Sequence, residues 1–188
     1  MSTSLSAAYK ADLADNHASE HKGVTVGMTA IFDNPAMQYH CKKYHVIITY
    51  LGEEPSDAAF QAADELMSAA SAQGPLIAKP YALEMFGRDE NIPVIVVRFQ
   101  DPLVTDMFTA FHAVWGVCPP GMAAKLDEPT FYIIFSPSFP FPRCVEDFCK
   151  DLRMWIDPDA TILCSDIYLK RLGGVTKFAR RSMLTHDP

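Results

Sequence analysis

A chain of 188 residues, 49% apolar and with a net charge of −7, carries enough hydrocarbon for one ordinary domain core. The acidic balance argues against broad non-specific binding to long DNA or to an anionic membrane, where phosphate neutralisation needs a basic excess. No run approaches the roughly eighteen apolar residues of a membrane helix, and residues 1–20 lack a basic-then-apolar leader, so the expected compartment is the cytoplasm.

The first 22 residues are rich in Ser, Ala, Asp and His with little periodicity, and read as a flexible N-terminal arm or one short amphipathic helix. Gly23 to Phe32 alternates apolar and small residues and reads as the first strand, broken by Asp33-Asn34-Pro35. Lys42 and Lys43 form a basic spot beside His40 and His45. The stretch His45-Val46-Ile47-Ile48-Thr49-Tyr50-Leu51-Gly52 then reads as a mostly buried strand. Period-two alternation puts His45, Ile47 and Thr49 on one face and Val46, Ile48 and Tyr50 on the other.

Ser56 is placed to cap a helix with Asp57 in its first turn, and apolar residues at helical spacing carry it to about Ala72, where Gly74-Pro75 ends it. Tyr81 to Phe86 and Ile92 to Phe99 form a hairpin, with Pro93 at the entry of the second arm. Asp101-Pro102 opens a second helix, from about Val104 to Trp115, carrying His112. Thr130 to Phe135 reads as a strand, Arg143 to Trp155 as a helix, and Thr161 to Leu169 as the last strand, alternating Ile162, Cys164, Asp166 and Tyr168 against Leu163, Ser165, Ile167 and Leu169. Residues 171–188 read as a mobile basic tail with Lys177, Arg180 and Arg181. The domain proper is therefore residues 23–170.

Five cysteines (Cys41, Cys118, Cys144, Cys149, Cys164) are scattered, without a Cys-x-x-Cys pair, which points away from a disulfide framework. His40, Cys41 and His45 lack the spacing of a metal site, so no metal and no cofactor are expected. The order β β α β β α β α β contains a weak internal repeat: strand, helix and strand from His45 to Phe86 are echoed from Thr130 to Leu169. Such a repeat allows two equivalent strands to lie side by side, with a cleft on the pseudo-dyad.

This arrangement, together with the frame His45-Val46-Ile47-Ile48-Thr49-Tyr50-Leu51-Gly52, resembles the 2H phosphoesterase superfamily, which includes RNA cyclic phosphodiesterases and phage nucleases of cyclic oligonucleotide signals. The resemblance covers about Gly23 to Lys170. It implies an α+β, bilobal fold, with pseudo-twofold antiparallel sheets around a central cleft and helices outside. In that superfamily two histidines act as acid and base across one phosphodiester, hydroxyls hold the non-bridging oxygens, and no metal is needed. Carried onto this chain, His45 is the acid or base, Tyr132 a proton donor, Thr49 and Thr130 phosphate ligands, and Arg98 and Lys79 sources of positive charge.

The chain departs from the pattern in that Ile47 replaces a hydroxyl residue, Thr130 stands for the second histidine and Tyr132 for the second Thr or Ser. Three readings stay open: a phosphodiesterase on a small RNA-like ester (a 2′,3′-cyclic end or a short or cyclic oligonucleotide), a silent module that sequesters a nucleotide or contacts a protein, and an α+β protein unrelated to that superfamily.

Overall fold

The computed structural model describes residues 4–15, 23–33, 44–86, 92–117, 131–134, 159–172, 174 and 176–184. Among these, three helices, α1 (Leu5–Asp15), α2 (Asp57–Gln73) and α3 (Pro102–Trp115), accompany seven strands. The strands are β1 (Val24–Phe32), β2 (Tyr44–Gly52), β3 (Leu76–Phe86), β4 (Ile92–Phe99), β5 (Phe131–Ile134), β6 (Ile162–Arg171) and β7 (Lys177–Ser182). Every pairing is antiparallel, in the order β1-β2-β5-β4-β3-β6-β7, and a further β1–β6 ladder closes the first six into a barrel.

The ring has an internal regularity. Exchanging β1 with β4, β2 with β5 and β3 with β6 reproduces every neighbour pair of the six-stranded ring. The exchange relates two tandem units, and its dyad passes between β2 and β5 and between β3 and β6, both of which are hydrogen-bonded neighbours. The echoed strands at His45 and at Thr130–Phe135 thus lie side by side, with Val46 opposite Ile133 and Ile47 opposite Tyr132. The helix expected at Arg143–Trp155 lies outside the described residues.

One alternation set of the strands, including Val26, Met28, Val46, Ile95, Ile133 and Ile167, forms a single apolar core with the inner sides of α2 (Phe60, Ala63, Met67) and α3 (Val104, Phe108, Phe111). Ser56 caps α2 by accepting a hydrogen bond from the Ala59 amide at 3.2 Å. Asp101 does the same for α3, accepting from the Leu103 amide at 2.9 Å, with Pro102 supplying a first helical residue that needs no donor. Phe108 of α3 sits against Phe99 and Phe131 at centroid separations of 5.0 and 5.9 Å, which fixes the helix across β4 and β5. The opposite set (Thr25, Gly27, Thr29, Tyr132, Val96, Asp166, Tyr168) is also buried, as side chains on the inner face of a closed ring are.

At the N-terminus the helical alternative holds, while the C-terminal segment differs from the expectation of a mobile tail. Within residues 1–22, α1 docks through Tyr9, which is buried against Phe60 and Phe178 and donates its hydroxyl to the Glu53 carbonyl at 3.1 Å. Within the basic tail, residues 177–182 form β7, paired with β6 from Asp166 to Lys170. The cause is a spare edge: β6 is held by β3 only at 162–164, so its next residues have unpaired backbone groups for β7 to satisfy.

Candidate functional site: a polar cluster at His45

His45 lies on β2 opposite Thr29 of β1, and Thr29 in turn lies opposite Asp166 of β6. Three polar side chains therefore cross three adjacent strands in one row, on the face away from the helices. One residue pair further along, Gly27 lies opposite Tyr168. The glycine is required there: a Cβ on Gly27 would stand 2.7 Å from the Tyr168 hydroxyl oxygen and 2.9 Å from the Val46 carbonyl. In the space this leaves, the Tyr168 hydroxyl meets His45 Nδ1 at 2.8 Å, and the two rings pack edge to face at 5.5 Å.

β7 completes the cluster. A register shift beside Leu169 and Lys170 leaves Phe178 unpaired, so Phe178 packs with Tyr9 and Phe60 while Lys177 turns to the opposite face. There the Lys177 ammonium donates to Asp166 Oδ2 at 2.7 Å and to the Thr29 hydroxyl, and lies 4.1 Å from the centre of the Tyr168 ring. Arg180 Nε approaches the same Asp166 oxygen at 3.4 Å. Lys170 stands 5.7 Å from the Tyr168 ring, and among the described residues no carboxylate pairs with it.

The electrostatics follow from that arrangement. Burial, then the ammonium charges of Lys170 and Lys177, pull His45 down from 6.5 to about 4, against an opposing pull from Asp166. The imidazole is therefore neutral at neutral pH. Burial raises the Tyr168 phenol, with Asp166 and Cys164 adding to it, so the hydroxyl keeps its proton. A protonated phenol donating to Nδ1 leaves the imidazole hydrogen on Nε2. Burial alone would raise Asp166, but its hydrogen bonds with Lys177 and Thr29 and the charges of Lys177 and Arg180 outweigh that and hold it below the ordinary carboxylate range. Burial first, then Lys177, lowers Lys170.

The other residues singled out from the sequence do not gather here. Thr49 was expected on the face of His45, but a register shift intervenes: Gly27 pairs with Ile47 and Val26 with Thr49, leaving Ile48 without a partner on β1. An extra residue reverses the alternation, so Thr49 faces with the core residue Val26 while Tyr50, opposite Thr25, takes the His45 side. Thr49 is buried against Gly116 and His112 of the α3 terminus, and its hydroxyl has no hydrogen-bond partner among the described residues. Tyr132 is buried on β5, and with Thr49, His112 and Val117 it lines a cavity of about 10 Å³, room for about one water. Thr49 is four positions on from His45, about 13 Å along a strand at ~3.3 Å per residue, and on the other face, so the two do not share one site.

Arg98 and Lys79 are exposed and opposite one another on β4 and β3. Thr130 and His40 lie outside the described residues, as do Cys41, Cys118, Cys144 and Cys149. Among the described residues no three His, Cys, Asp or Glu side chains gather as metal ligands, and no helix is long and apolar enough to cross a membrane.

Sequence reasoning passed over Tyr168, Asp166, Lys170 and Lys177. A signal existed: Asp166, Tyr168 and Lys170 put a polar-capable residue at every second position, alternating with the apolar Ile167 and Leu169. Chemically, the cluster offers one neutral imidazole with an Nε2 hydrogen, and two ammonium groups beside one buried carboxylate. It is rich in hydrogen-bond donors and poor in bases. No family model matches this chain, nor does any curated protein or solved structure.

Proposed function

We propose that this chain is a divergent 2H-phosphoesterase-like domain that binds a small phosphate ester of RNA-like chemistry, a 2′,3′-cyclic end or a short or cyclic oligonucleotide, without turning it over. The observation that carries the reading is Lys170: a half-buried ammonium, repelled by Lys177, with no counter-ion among the described residues. A phosphate oxygen between Lys170 and His45 Nε2 would neutralise that charge and accept both hydrogens, and charge-assisted bonds of this type are the strong ones. The exchange symmetry of the ring supports the pseudo-twofold relation of two halves implied by the resemblance, although the two halves share one closed barrel and not two lobes around a cleft. Binding without hydrolysis is supported by the chemistry of His45. A single imidazole held near 4 is a weak base at neutral pH and cannot serve as acid and base at once.

The test is calorimetric titration with 2′,3′-cyclic nucleotides and cyclic dinucleotides, with product analysis of the same mixtures. Saturable binding without product is expected, weakened about tenfold or more in Lys170→Met, the loss of one charge-assisted hydrogen bond. An imidazole facing a bound anion also titrates higher, so the His45 midpoint should rise in the complex. Product that disappears in His45→Ala would establish the hydrolytic reading instead. Absence of both binding and product would refute either form.

A further inference from the structure

A concave site lies on another part of the sheet, where β3 and β4 meet the first two turns of α3. It is a groove of about 620 Å³, within the usual range for small-molecule sites. Its floor is apolar, formed by Phe99 and Phe131, both buried and in ring contact with each other. Its rim carries Tyr81, Arg98, Glu84 and Asp106, all exposed.

The rim is built by a bulge. On β3, Pro80 pairs with Val97 and Ala82 with Val96, which leaves Tyr81 without a partner on β4. Pro80 suits this place because a bulge relieves it of donating to the ladder. The extra residue turns the Tyr81 ring out of the sheet, where it is 57% exposed. The Arg98 guanidinium lies over that ring with its central carbon 3.4 Å from the centroid. The stack holds a flat cation in a fixed plane, and because Arg98 is exposed its second face is open. Glu84 and Asp106 line the same groove, and their carboxylates have no hydrogen-bond or ion-pair partner among the described residues.

These features select a ligand class. A guanidinium face already stacked on tyrosine accepts a planar π-system on its other side. Free carboxylates at the rim accept hydrogens and reject carbonyl oxygens. An apolar floor favours a ring over an extended polar chain. A cationic side chain from a peptide would satisfy the carboxylates but would face Arg98, so the combination fits a neutral ring better than a lysine. We infer that this groove binds a planar heteroaromatic ring bearing exocyclic amino groups, stacked on Arg98 and read by Glu84 and Asp106. The site is independent of the anion site at His45, since it needs no phosphate.

The experiment uses nucleosides, which carry no phosphate, so its outcome is separate from that of the His45 site. Ligand-observed NMR and calorimetry on the full chain would compare adenosine and cytidine with inosine and uridine, which present a carbonyl where the first two carry an amine. Saturable binding with at least about fivefold preference for the amino-bearing member of each pair is expected, far below the discrimination of a buried site because both carboxylates are exposed to water. Arg98→Ala should weaken adenosine binding about tenfold, and Glu84→Gln with Asp106→Asn should erase the preference while leaving some affinity. All three side chains are exposed, so melting temperatures should match the wild type and report that folding is intact. The inference is overturned by no saturable binding, by equal binding of both members of a pair, by affinity that survives Arg98→Ala, or by a lysine-rich peptide that competes better than adenosine.

Discussion

Acidification should destabilise this protein through His45 before it does so through any carboxylate. The folded-state value near 4 lies below the unfolded value of about 6.5. A group whose folded value is depressed favours the folded state only while deprotonated. The contribution is therefore complete above about pH 6.5, declines as pH falls, and is gone below about pH 4. The interval from 6.5 to about 4, at about 1.36 kcal/mol per pH unit, sets a ceiling of about 3 kcal/mol. His45 is partly open to solvent, which screens the lysine charges, so a loss of about 1–2 kcal/mol is the expected size. The Asp166 contribution lies lower: its folded value is depressed below 3.8, so it is retained until pH falls beneath the ordinary carboxylate range. The two windows separate the two groups.

The assay is urea unfolding at half-unit steps from pH 7.5 to 3.5, for wild type and His45→Gln. The difference between the two stability curves should fall across pH 6.5 to 4 and flatten on either side. Imidazole proton shifts in the folded protein give the midpoint directly. A His45 midpoint near 6.5, or parallel stability curves for the two proteins, would refute the burial-plus-lysine account. Lys170→Met provides the internal control, since removing one ammonium should move the midpoint upward while the burial contribution stays.

Three further outcomes test the architecture. Gly27→Ala should cost about 2–4 kcal/mol in chemical denaturation, because its Cβ would stand within 3 Å of the buried Tyr168 ring and of a backbone oxygen, and neither can move far in a packed ring of strands. Lys177→Met should cost about 2–4 kcal/mol, since Asp166 is buried and keeps, among the described residues, just the exposed Arg180 as an ionic partner, whereas Asp166→Asn combined with Lys177→Met should recover part of the loss. Cys164, fully buried and with its thiol pushed up to about 12, should resist alkylation in the native protein and react fully in denaturant, read by mass spectrometry of the labelled peptide.

Local chemistry alone placed much of the chain. The β2 run from Tyr44, the Ser56 cap with its helical spacing, the Asp101-Pro102 helix start and the apolar β4 and β6 runs each declare their element through nearest neighbours, and the structure contains all of them. The repeat of strand, helix and strand also showed in the order of elements, and the ring topology is invariant under the corresponding exchange. What sequence could not supply is parity and partnership. Whether Thr49 shares a face with His45 depends on one unpaired residue at Ile48, and such a shift is set by how β1 and β2 meet, not by either run alone. The N-terminal helix and the basic C-terminal strand have weak signals of their own because their stability comes from Tyr9 and Phe178 packing on Phe60 and from an edge of β6 that β3 leaves open. The polar cluster joins residues as far as 148 positions apart, from Thr29 to Lys177, so only the closed sheet brings an ammonium, a carboxylate, a phenol and an imidazole into one place.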